Sequence, residues 1–133
     1  MRLVEKHIIS KKNSFFQEMD KLSFLSKNLY NASLYIIRQH FFTTKKFLNY
    51  EELQKHLQTT KQVDYYALPT KVSQQILMTL CKNFKSFLRA LEEYKSNPSK
   101  FKAKPKLPKY KHKTKGRNIV PYLIDAINAK QKK

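Results

Sequence analysis

The sequence predicts a mainly α-helical protein: a helical bundle with short flanking β-strands and an extended basic arm. Three observations predict it. Two long stretches repeat their apolar residues at intervals of three and four, the period of one helix face. Four of the five prolines (Pro98, Pro105, Pro108 and Pro121) fall after residue 97, where that period stops. In the same region lysine occupies every second position from Lys100 to Lys106, a period of two that suits extended backbone.

Taken in order, Leu3–Ile9 is short, β-branched and partly alternating, and reads as a strand. Ser14 followed by Gln17 has capping-box spacing, so a helix is expected from about Ser14 to Phe42, with a break allowed near Asp20. Leu22, Leu25, Leu29, Ala32 and Ile36 would share its apolar face. Asn49 should cap a second helix, with Glu52 reaching back, that ends around Gln58. After Leu68-Pro69-Thr70 a third helix carries Val72, Ile76, Leu80, Phe84, Phe87, Leu88, Leu91 and Tyr94 in a single stripe. Pro69 sits at its entry, and Asn97-Pro98 supplies the stop. The apolar faces of the first and third helices should bury each other, as an antiparallel hairpin or small bundle. Beyond residue 97, Gly116 marks a turn before a further strand at Ile119-Val120.

Composition narrows the function. The 133 residues carry 28 Lys+Arg against 9 Asp+Glu, a formal charge of +19. Residues 1–94 hold 15 basic and 8 acidic side chains, whereas residues 95–133 hold 13 basic ones and a single acid, Asp125. So lopsided a charge favours a polyanionic partner, because phosphates relieve its self-repulsion. One cysteine, Cys81, excludes an internal disulfide and a cysteine-rich zinc site. One glycine excludes a glycine-rich phosphate loop. No apolar run approaches the roughly 18 residues of a membrane span, and the amino terminus lacks the features of a secretory signal. A soluble protein of a reducing cytoplasm is expected.

The candidate contacts to nucleic acid are Lys100, Lys102, Lys104, Lys106, Lys109, Lys111, Lys113, Lys115 and Arg117 on the arm. Lys71, Lys82, Lys85 and Arg89, on the polar side of the third helix, would extend that surface. Lysine supplies point charges for phosphates and little base reading, and arginines are few. Tyr65 and Tyr66 precede the third helix in a loop, where stacking on a base is open to them. Phe84, Phe87 and Tyr94 follow the apolar stripe and are core residues. Asn28 and Asn31 lie off the stripe and suit either an interhelical bond or a ligand. Glu92-Glu93 are helix-surface charge, and His7, His40, His56 and His112 show no metal-ligand spacing. No catalytic residue, metal or cofactor is expected.

Several segments together resemble the amino-terminal region of the TnpB/OrfB proteins of insertion sequences. They are FLSKNLYNASLYIIRQHFF (24–42), YEELQKHL (50–57), YYALPTKVSQQILMTLCKNFKSFLRAL (65–91), NPSKFKAKPKLPKYK (97–111) and KGRNIV (115–120), in the family's order and intervals. The resemblance implies an RNA-guided DNA nuclease ancestry. It implies a split wedge β-barrel with an inserted helical recognition lobe, whose first helices resemble a helix-turn-helix. Residues 1–13 would then hold a wedge strand, 14–97 the recognition lobe, and 98–133 the basic arm with partial strands of an incomplete wedge barrel. The family's RuvC carboxylates and four-cysteine zinc element have no counterpart here, so a truncated, non-cleaving chain is expected. Its partners would be a guide-type RNA, DNA, or both, and no membrane. Two alternatives remain open at this point: a stand-alone DNA-binding regulator, and a module that pairs with a separately encoded nuclease half.

Overall fold

The computed structural model describes residue 8 and residues 10–121. The expected strand at Leu3–Ile9 lies outside the described residues apart from Ile8, as does everything after Pro121. The chain forms helices α1 (Phe16–Thr44), α2 (Tyr50–Thr59), α3 (Val63–Tyr66) and α4 (Thr70–Ser96), then one 3-10 turn at Pro98–Lys100. The fold is mainly helical.

Helix α1 runs unbroken through Asp20 for 29 residues, about 43 Å at the usual rise. The expected capping box does not form. Phe15 occupies the N-cap without a side-chain bond, and Asn13 organises the entry, its Oδ1 accepting from the Phe15 amide at 2.9 Å. At the other end Lys45 adopts a left-handed conformation, φ 63°, and its amide bonds to the Phe41 carbonyl at 2.8 Å. The expected cap of α2 is present: Asn49 Oδ1 accepts from the Glu52 amide at 2.9 Å. Pro69 stands at the entry to α4, as expected. The loop assigned to Tyr65-Tyr66 is instead the short α3, where Gln62 Oε1 caps the Tyr65 amide at 3.1 Å. Four residues are too few for helical periodicity to register.

Helix α4 packs against all three other helices. It runs in the same direction as α1, not antiparallel to it. Tyr30 shares a small cavity with Ile76 and Asn83, Phe41 meets Phe84, and Lys45 shares a cleft with Arg89 and Lys95. Positions therefore advance together along both helices. The return is made by α2 and α3, which occupy the connection between them.

The core collects Leu29, Leu34 and Ile37 from α1, Leu53 and Leu57 from α2, and Tyr65 from α3. Helix α4 adds Val72, Ile76, Leu77, Leu80, Cys81 and Phe84. Each large aliphatic side chain removed from water stabilises the fold by about 1.5–3 kcal/mol. On α1 the buried seam is Ser26, Leu29, Ser33 and Ile37, with Leu22, Leu25 and Ile36 only partly covered. The seam is rotated from the expected stripe because α1 is covered from two sides, by the helices and by the arm. Phe84 is fully buried and meets three rings: Phe41 at 5.7 Å, Phe47 at 5.9 Å and Phe87 at 5.8 Å.

No strand forms among the described residues. Ile119-Val120, expected as a strand, is irregular. The other expected strand, Leu3–Ile9, lies outside the described residues apart from Ile8.

Candidate nucleic-acid interface

The arm is anchored to the helical body at both ends. At its start Tyr94 and Phe101 meet edge to face at 5.7 Å, and Lys100 pairs with Glu93 at 3.6 Å. Leu107 and Val120 pack against the core. Between them the chain runs back along α1 in the opposite direction to the helix.

A polar stripe on α1 holds it there. Asn31 grips the backbone of one residue on both sides of its Cα: its Oδ1 accepts from the Lys111 amide at 2.9 Å and its Nδ2 donates to the Lys111 carbonyl at 2.9 Å. Tyr30 donates its hydroxyl to the Lys109 carbonyl at 3.3 Å. Lys27 donates to the Lys113 carbonyl, and to Asn28 Oδ1 at 2.6 Å. Ser26 donates to the Ile119 carbonyl at 2.5 Å and accepts from Asn118 Nδ2 at 3.0 Å, while the Asn118 amide bonds to the Ser23 carbonyl at 3.2 Å. Asp20 closes the series, accepting two bonds from Arg117 at 2.8 and 3.1 Å.

Three of these carbonyls belong to alternate residues, 109, 111 and 113. In extended backbone alternate carbonyls point the same way and side chains leave roughly perpendicular to them. The arm therefore gives α1 its hydrogen-bonding edge and keeps its lysines outside. Lys100, Lys102, Lys104, Lys106, Lys109, Lys111, Lys113 and Lys115 are all exposed, while Phe101, Pro105, Leu107 and Pro108 are half-buried.

Gly116 tightens the turn that follows. His112 Nδ1 accepts from the amides of Thr114 and Lys115, and the His112 carbonyl accepts from the Gly116 amide at 3.0 Å. A Cβ on Gly116 would meet the His112 carbonyl oxygen at 2.5 Å and its nitrogen at 2.6 Å, so the backbone leaves no room for a side chain.

Lys27 is 1% exposed, and its ammonium lies 3.8 Å from the Phe24 ring centroid. Burial, helped by the nearby Arg117 and Lys113 charges, pushes its pKa below the ordinary lysine value. The Asp20 carboxyl is held below its usual value, chiefly by the bond from Arg117. Burial raises the Tyr30 hydroxyl.

The remaining predicted residues fall in different places. Lys71, Lys82, Lys85 and Arg89 are exposed on α4. Arg117 is exposed, with its guanidinium committed to Asp20 and to the carbonyls of Thr114 and Gly116 at 2.9 and 2.8 Å. Tyr66 is 55% exposed. Tyr65 is 1% exposed, and its hydroxyl accepts from Gln54 Nε2. That ring belongs to the core and cannot stack on a base, because α3 turns it inward. Sequence reasoning missed Asp20, Ser26, Lys27 and Tyr30 as side-chain anchors of the arm, to which Ser23 adds only its backbone carbonyl. Their spacing of three and four, beside the apolar stripe, was the available signal. Arg38 was missed too; its guanidinium lies 5.0 Å from the Tyr110 ring centroid.

Among the described residues no group of three or more His, Cys, Asp or Glu could hold a metal ion, and no helix is long and apolar enough to cross a membrane. No protein-family model, curated protein or solved structure matches the chain.

Proposed function

We propose that this chain binds nucleic acid through its docked basic arm and does not cut it, acting as the recognition region of a TnpB-like protein. One observation carries the reading. The arm's backbone is hydrogen-bonded to α1 at residues 109, 111 and 113 while its eight lysines, Lys100 to Lys115, are exposed, with Lys100 pairing with Glu93 and Lys111 lying over the Tyr30 ring. A fixed row of cations meets a phosphate backbone without first giving up chain entropy, so the docking raises affinity beyond that of a loose lysine tail. A guide-type RNA, with or without target DNA, is the ligand that the resemblance implies. The non-cleaving reading rests on sequence: two-metal cleavage needs several converging carboxylates, and the RuvC carboxylates of the family it resembles have no counterpart among this chain's nine acids.

Replacing Lys102, Lys104, Lys106, Lys109, Lys111, Lys113 and Lys115 by Gln tests the reading. RNA and DNA affinity should fall, and the slope of log affinity against log salt should flatten by about 0.7 per lost phosphate contact on single strands and about 0.9 on duplex. An unchanged slope overturns it.

A second reading has its own support. Phe15, Met19 and Ile119 are exposed beside an apolar cavity of about 320 Å³ lined by Met19, Leu22, Ser23 and Val120. Clustered exposed apolar groups suit a protein partner, such as a separately encoded nuclease half. Co-purification of one second polypeptide with the arm variant supports that module over the binding protein.

A further inference from the structure

A second basic surface lies about 21 Å further along α1 than the Asn31 clamp, at the rise of a helix. Here the end of α1, the connection to α2 and the later turns of α4 enclose two adjoining clefts. The larger, about 590 Å³, has Phe41, Phe47, Leu88 and Leu91 as its floor. Lys45, Lys85, Arg89 and Lys95 stand around it, with Glu92 as the single acid. The smaller, about 360 Å³, is floored by Phe47, Tyr50, Met78 and Cys81, with Lys82 and Lys85 at its edge and Glu51 opposing them. Phe47 and Lys85 line both, so the two clefts are successive parts of one groove.

The groove asks for an unusual occupant. Five cations outnumber two acids at its rim, so the occupant is an anion. Its floor is apolar and aromatic, so the occupant also has apolar faces to bury. Phe47 is a fixed platform, because it stacks at 24° on the fully buried Phe84. Lys85 Nζ lies over the Phe47 ring, 5.7 Å from its centroid, so a cation stands at the platform itself and shares it with an incoming base. Lys82, Lys85 and Arg89 succeed one another at three and four residues along α4, about 4.5 and 6 Å apart along the axis. A nucleotide strand has both required properties: flat faces on its bases and a charge at each phosphate. A duplex has its base faces already stacked inside and offers only phosphates.

We propose that this groove binds a single-stranded segment of nucleic acid, with bases against the Phe47 side and phosphates at Lys45, Lys85, Arg89 and Lys95. The proposal rests on the nucleic-acid reading above and adds a second site that selects single strands. It also gives Lys82, Lys85 and Arg89 a role distinct from the arm's.

The chain contains no tryptophan, so Phe47→Trp places one reporter in the groove. Eight-residue oligouridylate or oligothymidylate should quench its fluorescence, and the stronger quencher identifies RNA or DNA as the source. A duplex hairpin of equal charge should quench at least tenfold more weakly. Adding Lys45→Glu with Arg89→Glu should abolish the quench, while replacing the arm lysines 102–115 by Gln should leave it. The unaltered protein offers a second readout should the tryptophan disturb folding. Cys81 lines the groove, and the oligonucleotide should slow its alkylation several-fold at a pH that leaves the lysines charged. No quench and no Cys81 protection, with arm-dependent binding intact, overturns the groove and leaves the arm reading standing. Equal quench by polyglutamate or by the hairpin overturns the choice of a single strand. If arm and groove variants both bind like the unaltered protein, the nucleic-acid reading falls with it.

Discussion

Asn31 shows how much one side chain decides. By sequence it is a polar residue off the apolar stripe, equally fit for a ligand. In the fold it satisfies both backbone polar groups of Lys111, its amide and its carbonyl. Asn31→Ala should cost about 1–2 kcal/mol locally, because it removes two hydrogen bonds and leaves their backbone partners to water. The arm amides should then exchange about tenfold faster while the α4 core amides keep their rates, as read by hydrogen exchange. Asp20 gives a pH dependence of stated sign. Its folded pKa lies below the ordinary carboxyl value of 3.8, so its contribution is fully present above that value and is lost as pH falls through the folded one. Exchange at the Asn118 amide should therefore accelerate below about pH 4 relative to the core, and Asp20→Asn should show the same acceleration at neutral pH. No such acceleration in the variant would remove the Arg117 pair from the account of arm docking.

At the level of elements, α1 serves two partners. One side carries the buried seam of Leu29, Ser33 and Ile37, and the other carries the polar stripe that holds the arm, with Ser26 buried where the two meet. Its apolar periodicity is plain in the sequence, but the stripe's significance is not, since its partners lie 79 to 97 positions away. Helices α2 and α4 were legible to within about two residues, because Asn49 and Pro69 punctuate them and their apolar spacing is regular. Helix α3 was not legible. It exists because Tyr65 finds a pocket among the longer helices and Ser73 donates to its carbonyl at 2.7 Å. Phe84 binds the elements together through its contacts with Phe41, Phe47 and Phe87. Phe84→Ala should lower stability by about 3–5 kcal/mol, measured by denaturant unfolding. The loss should also loosen the Phe47 platform, so groove binding should weaken before arm binding does. A loss under 1 kcal/mol would mean that the ring cluster does not join these elements.

For the whole molecule, the formal charge of +19 is the dominant long-range term. Without a polyanion the folded chain repels itself, and salt should relieve that. The Tm of the free protein should rise by a few degrees as ionic strength goes from about 0.01 to 0.1 M, while the screening length contracts from about 30 to 10 Å. A Tm that falls over this range would show that the exposed cations are already compensated within the fold. Charge and helical class were determined by the sequence itself, because composition and local periodicity need no partner to be read. Only the tertiary structure decided that α4 runs alongside α1 in the same direction, that Tyr65 is core, and that the arm lies on α1 with its lysines outward. Each of these depends on contacts between positions far apart in the chain. A hydrogen bond such as that of Asn31 to Lys111 leaves no pattern at either residue until folding brings the two together.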